Sequence, residues 1–102
     1  MPPRRKSLPR PAGFWGVSLR PVRVRFYASA REAAGRSTVE LSVPADGATA
    51  RSLVAEIARR WPALAPVLRA SRFLRNDEYL TDLRVRLGPG DELAVHPPYG
   101  GG

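Results

Sequence analysis

The residues best suited to chemistry stand at the end of the chain, His96-Pro97-Pro98-Tyr99-Gly100-Gly101-Gly102. A glycine run packs no core and forms no regular element, because glycine has no side chain and the most backbone entropy to lose. It offers instead a slim strand ending in a carboxylate, which can be threaded into another protein's active site. The expected reactive group is therefore the carboxyl of Gly102, with Gly101 beside it, and not a side chain. Pro97 and Pro98 stiffen the approach. The six residues 97–102, fully extended, reach about 20 Å. The competing reading is a frayed end without function.

Other chemistry is sparse. The absence of cysteine removes thiolate nucleophiles, thiolate metal sites and disulfides, and fits a cytoplasmic protein. His96 is the only histidine, and a lone histidine is more often a surface or packing residue than a catalyst. A chain of 102 residues forms one domain with little room for an enzyme cleft of its own. No apolar run approaches the roughly 20 residues of a membrane-spanning helix, so no membrane is expected.

The elements that must position this tail are legible from periodicity. Val22, Val24 and Phe26 alternate with Arg23, Arg25 and Tyr27, the period of a half-buried strand. A helical turn is predicted at about 29–34, closed by Gly35. Val39, Leu41 and Val43 predict a second strand, followed by a loop at Pro44-Ala45-Asp46-Gly47. Thr49 is a good N-cap for the main helix. Leu53, Ile57 and Trp61, with Val54 and Ala58, form its apolar stripe. Trp61 is expected in the core, with a partner contact as the alternative. Pro62 ends this helix or starts a new turn, and 63–70 can add another. Phe73 and Leu74 open a short strand that turns at Asn76-Asp77. Leu83, Val85 and Leu87 alternate again, Gly88-Pro89-Gly90-Asp91 makes a tight turn, and 92–96 is the last strand, with Leu93 and Val95 inward.

Two hairpins around one long helix imply an α+β fold: a mixed sheet with the helix across one face and the first and last strands side by side in the middle. That is the β-grasp, or ubiquitin-like, roll, expected over residues 21–102. Residues 1–20 carry Pro2, Pro3, Pro9 and Pro11 with Arg4, Arg5, Lys6, Arg10 and Arg20, and no acid. They are expected to be a disordered basic extension, with a misassigned start or a targeting segment as alternatives.

The motifs resemble those of the MoaD/ThiS-type sulfur carriers over residues 22–102. Phe26-Tyr27-Ala28, then Arg31-Glu32 and Gly35, resembles the family's first strand and the segment after it. Asn76 with Glu78 and Tyr79 resembles its hairpin, and Gly90-Asp91-Glu92-Leu93 its entry to the last strand. Pro97-Pro98, two residues and Gly101-Gly102 resemble the ending of the molybdopterin synthase small subunit rather than that of the thiazole branch. Gly100 stands where the family often has Ser, Ala or Thr, and His96 where it often has an aromatic or aliphatic residue.

The resemblance implies a sulfur carrier subunit of molybdopterin synthase. An E1-like enzyme would adenylate Gly102 with ATP, and a sulfur donor protein would convert the adenylate to a thiocarboxylate. The tail would then enter the large catalytic subunit of a heterotetrameric synthase and give its sulfur to a pterin precursor. His96, Pro97, Pro98, Tyr99 and Gly100 would contact these partners. The chain itself would bind no cofactor and no metal, ATP being used by the activating enzyme. Alternatives are a carrier for thiamin, cysteine or another thio-metabolite, a ubiquitin-like protein modifier, or a small basic binding module.

The net charge of +8 bears on that last alternative. Residues 1–20 contribute +5; from Pro21 onward 12 basic and 9 acidic residues leave +3. With 16 arginines among the 17 basic residues, the excess reads as coding bias, and no nucleic-acid-binding motif is present. If their strands are neighbours, Arg23, Arg25, Arg84 and Arg86 would form a basic, tyrosine-containing patch on the outer sheet face.

Overall fold

The alternation at the start of the domain builds strand β1 (Val22–Phe26), with Val22, Val24 and Phe26 buried and Arg23 exposed. The computed structural model describes residues 20–98. Apart from Arg20, the expected basic extension lies outside the described residues. Helix α1 (Ala28–Ala34) closes at Gly35, whose φ of 75° is left-handed and whose N–H donates to the Arg31 carbonyl at 2.9 Å. Glycine adopts this conformation without steric cost. Strand β2 (Thr38–Leu41) then pairs antiparallel with β1. The expected strand is shorter than its apolar pattern: Val43 is fully buried but lies past the ladder, where the chain enters the turn closed by Gly47 N–H on the Pro44 carbonyl.

Gly47 is held at φ +85°, and a Cβ there would stand 2.5 Å from the Leu87 carbonyl oxygen. This close approach lets β3 (Ala48–Thr49) pair with β6 (Arg86–Leu87) as a separate two-stranded ribbon. Helix α2 (Ala50–Arg60) follows at once, with the Thr49 hydroxyl accepting from Ser52 N–H at 3.1 Å. Its first N–H groups find further partners: Ala50 donates to the Val85 carbonyl and Arg51 to the Leu83 carbonyl, each at 2.8 Å. This explains why 83–87 does not form the continuous strand its alternation suggests. The Leu83 and Val85 carbonyls satisfy a helix N-terminus, leaving only Arg86 and Leu87 to pair. Pro62 opens a 3-10 turn (Pro62–Leu64) leading into α3 (Ala65–Ala70).

Strand β4 (Arg72–Arg75) turns back into β5 (Glu78–Tyr79). Asn76 and Asp77, at φ 48° and 73°, make that turn with the left-handed backbone a tight hairpin requires. Strand β7 (Glu92–His96) completes the main sheet, in the order β2-β1-β7-β4-β5. β7 is parallel to β1 and antiparallel to β4. First and last strands thus lie side by side in the middle, as the β-grasp expectation required. The core beneath them is built on Phe26, Ile57, Leu64, Leu87, Leu93 and Val95, which pack the helices against one sheet face. Trp61 is only half-buried: it meets Phe26 edge-on at 6.1 Å, with the Arg36 guanidinium 5.7 Å from its ring centre. Among the described residues no helix is long and apolar enough to cross a membrane.

Candidate functional site

The tail leaves the fold from its most constrained strand. β7 has hydrogen-bonded neighbours on both sides; Leu93 and Val95 enter the core, while Ala94 between them is buried on the opposite face. The next residues, Pro97 and Pro98, are half-buried and exposed respectively. Neither can donate a backbone hydrogen bond, so the ladder ends there. Tyr99, Gly100, Gly101 and Gly102 lie outside the described residues.

His96, the last residue of β7, is half-buried between two tyrosines. Its ring centre is 4.5 Å from that of Tyr27, inclined at 54°, and 6.4 Å from that of Tyr79, nearly edge-on at 80°. The parallel pairing that sets Phe26 opposite Val95 brings Tyr27 alongside His96, and the Tyr27 N–H donates to the Val95 carbonyl at 3.3 Å. On the other side Arg72 is the register partner of His96, and its guanidinium stands 5.7 Å from the Tyr79 ring centre. Tyr27 and Tyr79 remain 40% and 56% exposed, the two large apolar side chains that the described residues present to solvent.

One row further from the tail, Arg25, Ala94, Leu74 and Tyr79 are successive register partners across four strands. Ala94 and Leu74 are nearly buried yet are absent from the core cluster; they form an apolar floor on the outer face. An exposed apolar face rimmed by aromatic side chains is the kind of surface that docks a partner. The cations around it are partly tied. Arg25 donates from Nε and Nη2 to Glu92 Oε2 at 3.1 and 2.9 Å, and that hydrogen bond and charge hold its guanidinium above its ordinary pKa.

The turn before β7 is held by polar contacts. Asn76 Nδ2 donates to Asp91 Oδ1 at 3.1 Å, and the Glu92 N–H donates to Asn76 Oδ1 at 2.9 Å. The Gly88 N–H donates to Asp91 Oδ2 at 2.8 Å. Burial pushes the Asp91 carboxyl up, but the hydrogen bonds from Gly88 and Asn76 and the charges of Arg75 and Arg20 outweigh it, so its pKa falls below the ordinary range.

The expected arginine patch does not form. Arg84 and Arg86 belong to the segment around β6, outside the main sheet that carries Arg23 and Arg25. Arg84 forks onto Asp82, and Arg86 donates to the Asp46 and Gly47 carbonyls. The face does contain a tyrosine, as expected of Tyr27, but its neighbours are His96, Leu74, Ala94, Tyr79 and Arg72. Three consecutive apolar residues in β7, Leu93-Ala94-Val95, and the adjacent pair Phe73-Leu74 in β4 are the signals that mark this second apolar face: at period two, one residue of each must point away from the core. Among the described residues no three His, Asp or Glu side chains converge as a metal site.

The family model that matches this chain is that of the ThiS family, over residues 24–102. The chain belongs to the ThiS family. That stretch runs from the third residue of β1 through the glycine tail. Within the relatives of this ThiS-family chain, the molybdopterin synthase sulfur carrier subunit of Homo sapiens is 40% identical over 88 residues, covering 84% of this chain and 99% of the relative. SAMP1 of Haloferax volcanii, a small archaeal modifier protein, superposes with a TM-score of 0.69 at 30% identity, covering 79% of this chain and 98% of the other. A complex of subunits 1 and 2 of the molybdopterin-converting factor from Helicobacter pylori contains a chain of the same fold, with a TM-score of 0.58 at 23% identity, covering 79% and 97%.

Proposed function

We propose that this chain is the sulfur carrier subunit of a molybdopterin synthase and that its reacting atoms are the terminal carboxylate of Gly102. The observation that carries the reading is the exit of the tail. The central strand of the sheet is followed by Pro97-Pro98, beside an outer face floored by Ala94 and Leu74 and rimmed by Tyr27, His96 and Tyr79, and the sequence continues into the glycines. A rigid body with a docking face at the root of a slender tail is what a carrier needs to present its terminus to successive enzymes.

A carboxylate is a poor electrophile, so it must first gain a leaving group. An oxygen of Gly102 attacks the α-phosphorus of ATP and displaces pyrophosphate, leaving an acyl-adenylate. The outer sulfur of a persulfide on the donor protein displaces AMP and forms an acyl disulfide; a thiol then attacks the donor's sulfur, so that the thiocarboxylate leaves and a disulfide remains on the donor. The thiocarboxylate is a strong nucleophile at neutral pH and gives its sulfur to a pterin precursor in the large subunit. Water supplies the oxygen that restores the carboxylate. Glycines without a Cβ pass through a narrow channel, and the partners supply acid, base and nucleotide site. Two carriers serve one dithiolene. The human relative's name and the paired subunits of the Helicobacter pylori complex support the synthase partner.

The likeness to SAMP1 favours one second reading, a protein modifier. Its acyl-adenylate would pass to a lysine amine instead of a sulfur donor. The test is synthase reconstitution with three forms of the chain: native, Gly102 deleted, and one residue added after Gly102. Product forms with the native chain alone if the carboxylate must sit at that position. Product with the extended chain would overturn the proposal, and a chain covalently attached to lysine in its place would favour the modifier.

A further inference from the structure

A second surface lies on the helix side of the β4–β5 edge and borders the outer face at Arg72 and Tyr79. A groove of about 650 Å³ runs between α2, α3 and the β4–β5 edge, open to solvent along one side. Its floor is apolar: Leu68 and Phe73 are nearly buried, and Val54, Ala58, Leu80 and Leu83 are half-buried side chains at the margin of the core. Its volume falls within the range of specific binding pockets, but its open side suits a length of polypeptide better than an enclosed small molecule.

The charges on its rim are of one sign. Arg69, in the last turn of α3, and Arg72, the first residue of β4, both line it and are exposed, while no acidic residue does so. The acids adjacent to lining residues in sequence are Glu56, held by Arg59 and Arg60, Glu78, the register partner of Arg75, and Asp82, held by the fork of Arg84. Arg72 is steadied over the ring of Tyr79, another lining residue, so less of its freedom is lost on binding. Guanidinium forks match carboxylates in shape and charge.

We propose that this groove docks an acidic peptide segment of a partner protein, which buries one large apolar side chain between α2 and β5 and sets carboxylates against Arg69 and Arg72. Binding there would need none of the tail's chemistry, but because Arg72 and Tyr79 border both surfaces, a partner in the groove would reach the margin of the outer face. Nothing in this inference depends on thiocarboxylate formation, and either can fail without the other.

The probe is a capped peptide of sequence Asp-Glu-Leu-Phe-Glu-Asp, titrated into the isotope-labelled full chain and followed by amide chemical shifts. Its counterpart carries Asn and Gln in place of the acids. The expected result is saturable shifts at Val54, Ala58, Leu68 and Leu80. Affinity should fall about tenfold for the neutral peptide and for the double variant Arg69→Glu/Arg72→Glu, the combined effect of two exposed ion pairs. The variant's own amide spectrum reports whether it remains folded. No saturable shifts, equal binding of both peptides, or shifts confined to Tyr27, Ala94 and His96 would overturn the proposal. Groove shifts that grow with protein concentration alone would assign the groove to a second copy. Contacts from Trp15 to Leu68 in the free chain would assign it to the chain's own N-terminal segment. Either result would likewise overturn the acidic-peptide occupant.

Discussion

Leu93 and Ala94 are adjacent in β7 but face opposite sides of the sheet, so their substitution should separate folding from docking. Leu93 is fully buried in the core cluster. Leu93→Ala removes its branched end and leaves a cavity, at a cost of about 2–5 kcal/mol. For a domain of this size each kcal/mol lowers Tm by about 4–8 °C, so a mid-range loss of about 3 kcal/mol lowers it by roughly 10–25 °C. Ala94 is 6% exposed and lies outside the core cluster, between Arg25 and Leu74 in the register of the sheet. Ala94→Asp leaves the core unchanged, and in the free chain its side chain stands on the open outer face, so it costs mainly the poorer strand propensity of Asp, about 1 kcal/mol. It puts a carboxylate in the middle of the apolar floor, however. An unpaired charge desolvated in an interface costs at least 1.4 kcal/mol, or about tenfold in affinity. Thermal unfolding by circular dichroism and calorimetric titration with the large synthase subunit, below the Tm of both variants, measure the two effects. Leu93→Ala should melt early and bind normally; Ala94→Asp should melt near the parent and bind at least about tenfold more weakly. The reverse pattern, or equal loss of binding in both, would refute the assignment of the outer face as the docking face.

Two further outcomes follow from the turn and from the acidic groups. Asn76→Ala loses the contacts to Asp91 and to the Glu92 N–H and places alanine at φ 48°; a cost of about 2–3 kcal/mol is expected in urea unfolding, from left-handed strain and lost hydrogen bonds. The Glu56 carboxyl is drawn down from 4.5 to about 2, chiefly by the hydrogen bonds of Arg59 and then Arg60, and Asp82, through the hydrogen bonds of Arg84, and Asp91 are also lowered. Groups with depressed folded pKa values stabilise above their unfolded pKa, so this contribution is present at neutral pH and is lost as pH falls from about 4.5 towards 2. Urea midpoints should decline across that window, and a flat profile would contradict it. Because these carboxylates keep contact with solvent, the decline should be modest and reduced by salt.

Much of the scaffold was legible because its signals are local. The Val22–Phe26 alternation, the Thr49 cap, the Gly35 stop and the Asn76-Asp77 turn each act within a few residues. The segment at Leu83–Leu87 was not, since its carbonyls are drawn to the first N–H groups of α2, more than 30 residues earlier. The arginine patch failed for the same reason: whether Arg84 and Arg86 lie beside Arg23 and Arg25 depends on which sheet β6 joins. At the tail, the sequence pointed to His96, Pro97 and Pro98. It did not pair His96 with Tyr27 and Tyr79, because that meeting needs the parallel register of β1 with β7 and the antiparallel register of β4. Nor did it join Leu74 and Ala94 into one apolar floor, because that needs the antiparallel register of β4 with β7.

The central claim rests on one functional group, the carboxylate of Gly102. Intact-mass spectrometry of the chain after incubation with an E1-like enzyme, ATP and a sulfur donor tests it most directly. One terminal oxygen should be exchanged for sulfur, with the mass change located at Gly102 by fragmentation and absent when Gly102 is deleted. An unchanged mass, beside a control carrier thiolated by its own matched enzyme and with each available activating enzyme tried, would contradict it.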